Sequence, residues 1–117
     1  MAEKTLTSLA AEYFHRMGYT VDYNARFEGF SGLLHTFDLI IKTSKDERLV
    51  LIKDWDRTVG VDIIIKVDKA SEDTDLPNPI IVAERFSDHA KAYSNKRGVT
   101  LITKRDVLSK SDKFLRK

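Results

Sequence analysis

The sequence predicts an α/β protein, a three-layer α/β/α sandwich built around a mixed sheet of about five strands. Three observations predict it. The N-terminal residues carry apolar side chains at helical spacing, three strand-like segments then follow with only short turns between them, and the later strand-like segments are separated by helical ones. Short turns favour antiparallel hairpins and helical connections favour parallel crossovers, so we expect helices on both faces of the sheet.

The N-terminal third predicts one helix and two strands. Apolar residues three and four positions apart indicate an amphipathic helix, and Gly18 follows it at a position typical of a helix end. Alternating apolar and polar residues predict a strand over residues 19–27. A turn at residues 29–32 separates it from a second strand over residues 33–43.

The middle of the chain contains a third strand and a segment with two interpretations. A hairpin turn at residues 45–47 leads into the apolar run 49–52, which predicts a strand buried on both faces. In residues 59–67, alternating apolar residues and a β-branched composition favour a strand. The length of this segment and its polar continuation instead favour a helix that runs to about Asp73.

The remaining residues predict a strand, a helix, a strand and a final helix. The apolar run 80–83 is typical of a short buried strand, and Ser87 stands where a helix N-cap is expected. That helix ends near Gly98 and leads into a strand over residues 99–102. A terminal helix then contains Val107, with Thr103 or Asp106 as its start.

Length and composition limit the class of protein. The 117 residues predict a single domain over residues 1–109, followed by a basic tail over residues 110–117. The absence of cysteine excludes disulfides, thiolate metal sites and cysteine nucleophiles. No apolar run approaches the ~18 residues of a membrane span, and the N-terminal residues do not resemble a signal peptide, so we expect a cytoplasmic protein. Glycine-rich phosphate loops and dinucleotide fingerprints are absent, so no small-molecule cofactor is expected.

Positive charge is concentrated at the C-terminal end. The net charge is only +2, but from Lys96 onward eight basic residues stand against two acidic ones. A basic end on a slightly acidic body favours a polyanionic partner such as DNA, although a solvated tail explains the same pattern. If DNA is the partner, the candidate phosphate contacts are Ser31, Lys104 and Arg105.

Two charged residues stand on either side of the predicted hairpin between the second and third strands. Asp38 lies within the apolar segment FDLII and Lys53 ends the next strand, so the hairpin brings both to the same end of the sheet. A carboxylate that binds Mg²⁺ and a lysine that offsets developing negative charge suit phosphodiester hydrolysis. A buried ion pair is the alternative interpretation. His35, a candidate for phosphate or metal contact, is expected on the opposite face from Asp38 unless the strand bends. The alternative interpretation of His35 is a histidine at the strand entry that hydrogen-bonds a loop.

In their order and spacing these segments resemble the Mrr-like domain of type IV restriction endonucleases and its archaeal relatives, within the PD-(D/E)xK nuclease superfamily. The helix ending in Gly-Tyr-Thr-Val is similar to the opening of that domain, and residues 29–38 resemble its G-x-S-G-x-x-H-x-x-D segment. Residues 49–55 match the strand that carries the family's lysine, and residues 59–61 match a V-G-V entry into the next helix. Residues 81–102 resemble its closing strand–helix–strand unit, and the resemblance runs to Leu108.

The resemblance implies an α-β-β-β-α-β-α-β core, and it therefore favours the helical interpretation of residues 61–73. It also implies an endonuclease that cuts DNA with Mg²⁺ or Mn²⁺. By position, Asp38 is then the metal ligand, Lys53 the catalytic lysine and His35 a further residue of the catalytic segment. A homodimer is also expected, because nucleases that cut both strands often pair symmetrically.

Two positions depart from the family pattern. Leu51 stands where the family carries glutamate or glutamine two residues before the lysine, and Thr7 stands where its first helix often carries a glutamate. Glu3, one turn before Thr7, is a candidate substitute. Among the usual carboxylates metal binding would rest on Asp38 alone, so we expect it to be weak. The alternative function is a catalytically degenerate DNA-binding or protein-interaction module on the same fold.

Overall fold

The computed structural model describes the backbone of residues 5–115 and the side chains of residues 5–109. The described chain folds in the order α-β-β-β-α-β-α-β-α, which confirms the predicted core. The elements are α1 (Leu6–Arg16), β1 (Thr20–Glu28), β2 (Leu34–Lys42), β3 (Glu47–Val59), α2 (Val61–Thr74), β4 (Ile80–Phe86), α3 (Asp88–Arg97), β5 (Thr100–Thr103) and α4 (Lys104–Leu115).

The strands form one mixed sheet in the order β1-β2-β3-β4-β5. The β1–β2 and β2–β3 pairs are antiparallel, and the β3–β4 and β4–β5 pairs are parallel. Short turns are enough to join antiparallel strands, whereas parallel neighbours need a crossover, which α2 and α3 provide. The prediction of a mixed sheet of about five strands is therefore confirmed.

Helices pack on both faces of the sheet and enclose two apolar cores. On one face, Phe14 of α1 and Val107 of α4 pack with sheet residues such as Leu39. On the other, Ile64 of α2 packs with sheet residues such as Ile81, and α3 contributes to the same core. We call these the α1/α4 face and the α2/α3 face. Since each face of the sheet buries apolar side chains against helices, the three-layer arrangement is confirmed.

The helical interpretation of the segment after residue 60 is confirmed, because α2 spans Val61–Thr74. Its β-branched residues disfavour a helix only weakly. Ile64 and Val67 lie about one turn apart, and both are buried in the core of the α2/α3 face. Burial of this apolar stripe outweighs the local preference for a strand.

Strand β3 is longer than the sequence predicts, since it continues to Val59. Its pairing with β4 is interrupted after Lys53 and resumes where Thr58 pairs with Arg85. The interrupted stretch is charged and does not alternate between apolar and polar residues, so the pattern gives no sign that pairing resumes.

The terminal helix begins at Lys104, immediately after Thr103. The Thr103 hydroxyl accepts from the Asp106 N–H at 3.1 Å, and the Asp106 carboxylate accepts from the Thr103 N–H at 3.0 Å, a reciprocal cap that fixes this start. The predicted basic tail, residues 110–117, lies outside the residues whose side chains are described. Over the described chain, the helices are too short or too polar to cross a membrane.

Candidate functional site

Asp38 lies where the pairing between β2 and β3 ends. The backbone register reaches the Leu39–Val50 pair, and Asp38 is the next residue of β2. Its Oδ2 accepts a hydrogen bond from the N–H of Ile52 at 2.7 Å. The strands therefore separate at Asp38, and the carboxylate takes the place of a backbone acceptor for β3.

Strand β2 changes direction at the same residue. Phe37 and Leu39 would face the same side in a regular strand. Instead Phe37 packs in the core of the α2/α3 face and Leu39 in that of the α1/α4 face. The His35 ring stacks on Phe37, with centroids 6.2 Å apart and planes 2° apart. The bend that the sequence left open for His35 is therefore present.

Lys53 is close to Asp38 along the backbone, because it follows Ile52 directly. Its side chain, however, lies against a different residue, Trp55. Ile52 packs in the core of the α1/α4 face and Leu51 against that of the α2/α3 face, so strand alternation places Lys53 with Leu51. The Lys53 Nζ lies 5.0 Å from the centroid of the Trp55 ring. Among the side chains of residues 5–109, Asp38 and Lys53 form no ion pair.

The residues around Asp38 do not fit a divalent metal held by several carboxylates. Leu51, at the position where the family carries an acid or amide, packs against apolar neighbours. Thr7 is partly buried and Glu3 lies outside the described residues. Within the described part of the chain, no group of three or more His, Cys, Asp or Glu side chains could hold a metal ion. One oxygen of Asp38 is already bonded to the backbone, so we derive no catalytic step through Mg²⁺ or Mn²⁺.

A second cluster joins the β1–β2 connection to the end of α2. The Asp73 carboxylate accepts from the N–H of Ser31 at 2.9 Å and from its hydroxyl at 2.7 Å, and Asp73 Oδ2 lies 2.7 Å from His35 Nε2. The backbone carbonyl of Asp73 accepts from the N–H of Phe30 at 2.9 Å. Gly29 lies so close to this carboxylate that a Cβ would collide with it. We call these five residues the hairpin clamp.

The hairpin clamp determines what Ser31 and His35 contact. Their hydrogen bonds to the Asp73 carboxylate lower the pKa of Asp73, and the hydrogen bond from His35 is the largest single cause. Ser31 and His35 both bind this acid, an arrangement that differs from a histidine activating a serine nucleophile. The structure gives both side chains a role in holding the loop, and the catalytic role of His35 and the phosphate contact of Ser31 stay predictions.

Lys104 and Arg105 lie at the start of α4, beside the carboxyl end of the parallel strands. Lys53 pairs with Ala83, and Ala83 pairs with Thr103, so the three parallel strands reach this end of the sheet together. Lys104 and Arg105 line an open cleft of about 650 Å³ there. The other lining residues are Glu84, Leu108 and Ser109.

Sequence reasoning missed two acids that connect distant elements. Asp68 is buried, and its carboxylate accepts from the Tyr93 hydroxyl at 3.0 Å and from Arg97 Nε at 2.9 Å, which joins α2 to α3. Asp73 holds the hairpin clamp. The sequence does contain a feature that could have drawn attention to each acid. Asp68 falls at helical spacing on the apolar stripe, and Asp73 stands near a helix C-terminus, where the helix dipole disfavours a carboxylate.

Asp38→Ala is expected to lower the free energy of unfolding by about 1–3 kcal/mol, because it leaves the amide of a buried strand residue, Ile52, without an acceptor. Asp38→Asn keeps an acceptor oxygen and should lose less. Denaturant unfolding measures both, with Asp46→Ala in the exposed β2–β3 turn as the matched control. Equal stability of Asp38→Ala and the control would contradict this structural role.

Comparisons with known proteins agree with this architecture. Residues 1–110 match the family model Mrr_cat, described as restriction endonuclease. A comparison with curated proteins finds no match. Among solved structures, the protein of unknown function AF1548 is similar, with a TM-score of 0.74 at 16% identity over 81% of this chain and 54% of that chain.

Two further solved structures share the fold. EndoMS in its complex with dsDNA has a TM-score of 0.58 at 14% identity, over 88% of this chain and 46% of that chain. A repair endonuclease from Pyrococcus abyssi has a TM-score of 0.58 at 17% identity, over 88% and 48%. The chain thus spans about half the length of these solved relatives.

Proposed function

Because the chain belongs to the Mrr family of restriction endonucleases, which it matches over residues 1–110, we propose that it binds duplex DNA and does not hydrolyse it unaided. The observation that carries the second part is the position of Asp38. Its carboxylate bonds to the Ile52 amide, and the described residues supply no acidic cluster beside it. Without further carboxylates, the predicted metal ligand and the lysine of the next strand do not amount to a hydrolytic centre.

Family and charge support DNA as the partner. Lys104 and Arg105 stand at the cleft beside the carboxyl end of the parallel strands. Eight of the ten charged residues from Lys96 onward are basic, and such clustering favours contact with phosphates. EndoMS, which shares the fold, is described in a complex with dsDNA. Phosphate contacts of this kind would position the protein on a duplex without reading its sequence.

Metal binding is expected to be weak. A Mg²⁺ or Mn²⁺ ion would find Asp38 as its predicted carboxylate ligand, and one oxygen of that carboxylate is already a hydrogen-bond acceptor. Such ions otherwise depend on water and on substrate phosphate for their remaining ligands. Isothermal titration calorimetry with Mn²⁺ should therefore detect little heat of binding, and the heat should differ little between the unmodified chain and Asp38→Ala.

A homodimer and a cytoplasmic location complete the proposal. A duplex presents two related strands, and a symmetric pair of chains is the common way to engage both. The absence of cysteine suits a reducing compartment. Light scattering with and without DNA measures the number of chains in the complex.

Incubation of the purified protein with supercoiled plasmid and Mn²⁺ is expected to leave the plasmid intact, because the described residues around Asp38 do not supply the ligands that a catalytic ion needs. Gel electrophoresis of the plasmid is the readout, and a known nuclease in the same buffer is the positive control. Nicking that disappears in Asp38→Ala would show an active centre at this residue and overturn the proposal.

DNA binding is tested separately by fluorescence anisotropy with a labelled duplex. The affinity is expected to fall steeply as salt rises, because phosphate contacts release counterions. Affinity that does not change with salt would favour the protein-interaction alternative.

A further inference from the structure

A short stretch of β3 leaves the sheet next to Asp38. Lys53 pairs with Ala83, and the next pair along the strands is Thr58 with Arg85. Residues 54–57 therefore stand opposite a single residue of β4, and all four are exposed. A strand with extra residues bulges and redirects its side chains. We call residues 53–57 the β3 bulge.

The β3 bulge separates its acidic side chains from its basic ones. Asp54 Oδ2 accepts from the N–H of Leu6 at the start of α1, at 3.2 Å. Asp56 Oδ1 pairs with Nη1 of Arg85 on β4, at 3.2 Å. Both acids of the K-D-W-D-R run are therefore bonded to other elements, and among the described side chains neither forms an ion pair with Lys53 or Arg57.

The basic side chains of the bulge lie against its tryptophan. Lys53 Nζ is 5.0 Å and Arg57 Cζ is 4.9 Å from the centroid of the Trp55 ring. A ring attracts cations at this distance through its quadrupole. Two long side chains, which would otherwise sample many rotamers, are thus held near one another on a partly exposed ring. Such ordering before binding reduces the entropy lost when a ligand binds.

We propose that Lys53, Trp55 and Arg57 form a binding site for the phosphate backbone of duplex DNA, with Trp55 holding the two cations in place. This inference rests on the proposed function and adds a second contact to the one at Lys104 and Arg105. The ring distances place the two cations within about 10 Å of each other. Since each strand carries one phosphate per ~3.4 Å of helix axis, two cations within this distance are close enough to contact phosphates of the same strand.

Trp55 makes the site directly observable, because it is the only tryptophan of the chain. Its emission is expected to change as duplex DNA is added, and the change should reverse when salt dissociates the complex. Unchanged emission at saturating DNA, with binding verified by anisotropy of a labelled duplex, would overturn the assignment.

Substitutions then separate this site from the proposed function. Arg57→Gln is expected to lower the slope of log affinity against log salt by about 1 and to weaken binding severalfold. Trp55→Leu keeps both cations, so it should weaken binding with a smaller change in slope. Lys45→Gln, which removes a charge from the exposed turn at the other end of β3, is the matched control and should bind as the unmodified chain does.

Each result decides one point. If Arg57→Gln and Trp55→Leu bind duplex DNA as the unmodified chain does, this site is wrong and DNA binding by the chain still stands. If the unmodified chain binds no DNA, the proposed function itself fails. If Trp55→Leu loses affinity only for single-stranded DNA, the ring stacks on bases and the phosphate assignment is wrong. Thermal unfolding of each variant identifies a loss of fold, and Arg57→Gln, at an exposed position, then supplies the test.

Discussion

Asp73→Ala is expected to release the β1–β2 connection from α2 and to lower the thermal midpoint well below that of the unmodified chain. The substitution removes the acceptor of two Ser31 hydrogen bonds and the partner of His35 in one step. Asp22→Ala is the matched control, because its exposed carboxylate makes a single ion pair with Lys42 at 3.4 Å, which contributes little. Equal midpoints for the two variants would contradict the importance of the hairpin clamp.

Hydrogen exchange locates the effect of Asp73→Ala within the fold. The Ser31 amide bonds to the Asp73 side chain, whereas the Phe30 amide bonds to the Asp73 backbone carbonyl, which alanine retains. The Ser31 amide should therefore gain more exchange than the amides of the central strands, which change only as far as the lower global stability requires. An equal increase at Ser31 and throughout the sheet would instead indicate a general loss of stability alone.

The clamp also predicts a dependence on pH. Hydrogen bonds from His35 and Ser31 hold the pKa of Asp73 below its ordinary value of 3.8. In the unfolded chain these bonds are lost and the pKa returns to that value, so the unfolded state binds the proton more readily. The stabilisation is thus fully present above the unfolded pKa and is lost as the pH falls through the lower, folded pKa. The thermal midpoints of the unmodified chain and of Asp73→Asn should therefore approach each other as the pH falls through this range.

The double variant Lys104→Gln/Arg105→Gln is expected to bind duplex DNA roughly 10- to 100-fold more weakly at about 0.1 M salt. Each phosphate contact contributes about 0.9 to the slope of log affinity against log salt, so two lost contacts lower the slope by about 2. Anisotropy of a labelled duplex over a range of salt concentrations measures both quantities.

The control for this variant is Lys45→Gln/Lys91→Gln, which removes the same charge from exposed positions on the β2–β3 turn and on α3. It should bind nearly as the unmodified chain does. Equal losses in the two double variants would mean that net charge, and not the cleft at the start of α4, determines affinity.

The strands and helices could be predicted because each has its own periodicity or cap. The spacing of Leu6, Ala10 and Phe14 indicates α1, and Ser87 caps α3 through the Ala90 N–H as its position predicts. The irregular part of β3 could not be predicted in this way, because the pairing of Thr58 with β4 depends on a strand that is distant in sequence. Local pattern is informative where an element packs regularly, and loses information where a strand bulges.

The approach of the backbone segments that form the candidate site could be predicted from the sequence, but the directions of its side chains could not. The hairpin does bring the Asp38 and Lys53 segments together. The direction of each side chain depends on the bend of β2 at Asp38 and on the contact of Lys53 with Trp55, and periodicity reports neither. The partners of Asp73 lie about 40 residues away in sequence, so only the tertiary fold reveals them.

Attachment of the β1–β2 loop to Asp73 constrains the length of α2. Each residue of an α-helix turns the chain by about 100°. Insertion of one residue between Ile64 and Asp73 would keep Ile64 in its core and rotate Asp73 away from Ser31 and His35. We therefore expect this helix to tolerate substitutions on its exposed side far better than any change in its number of residues.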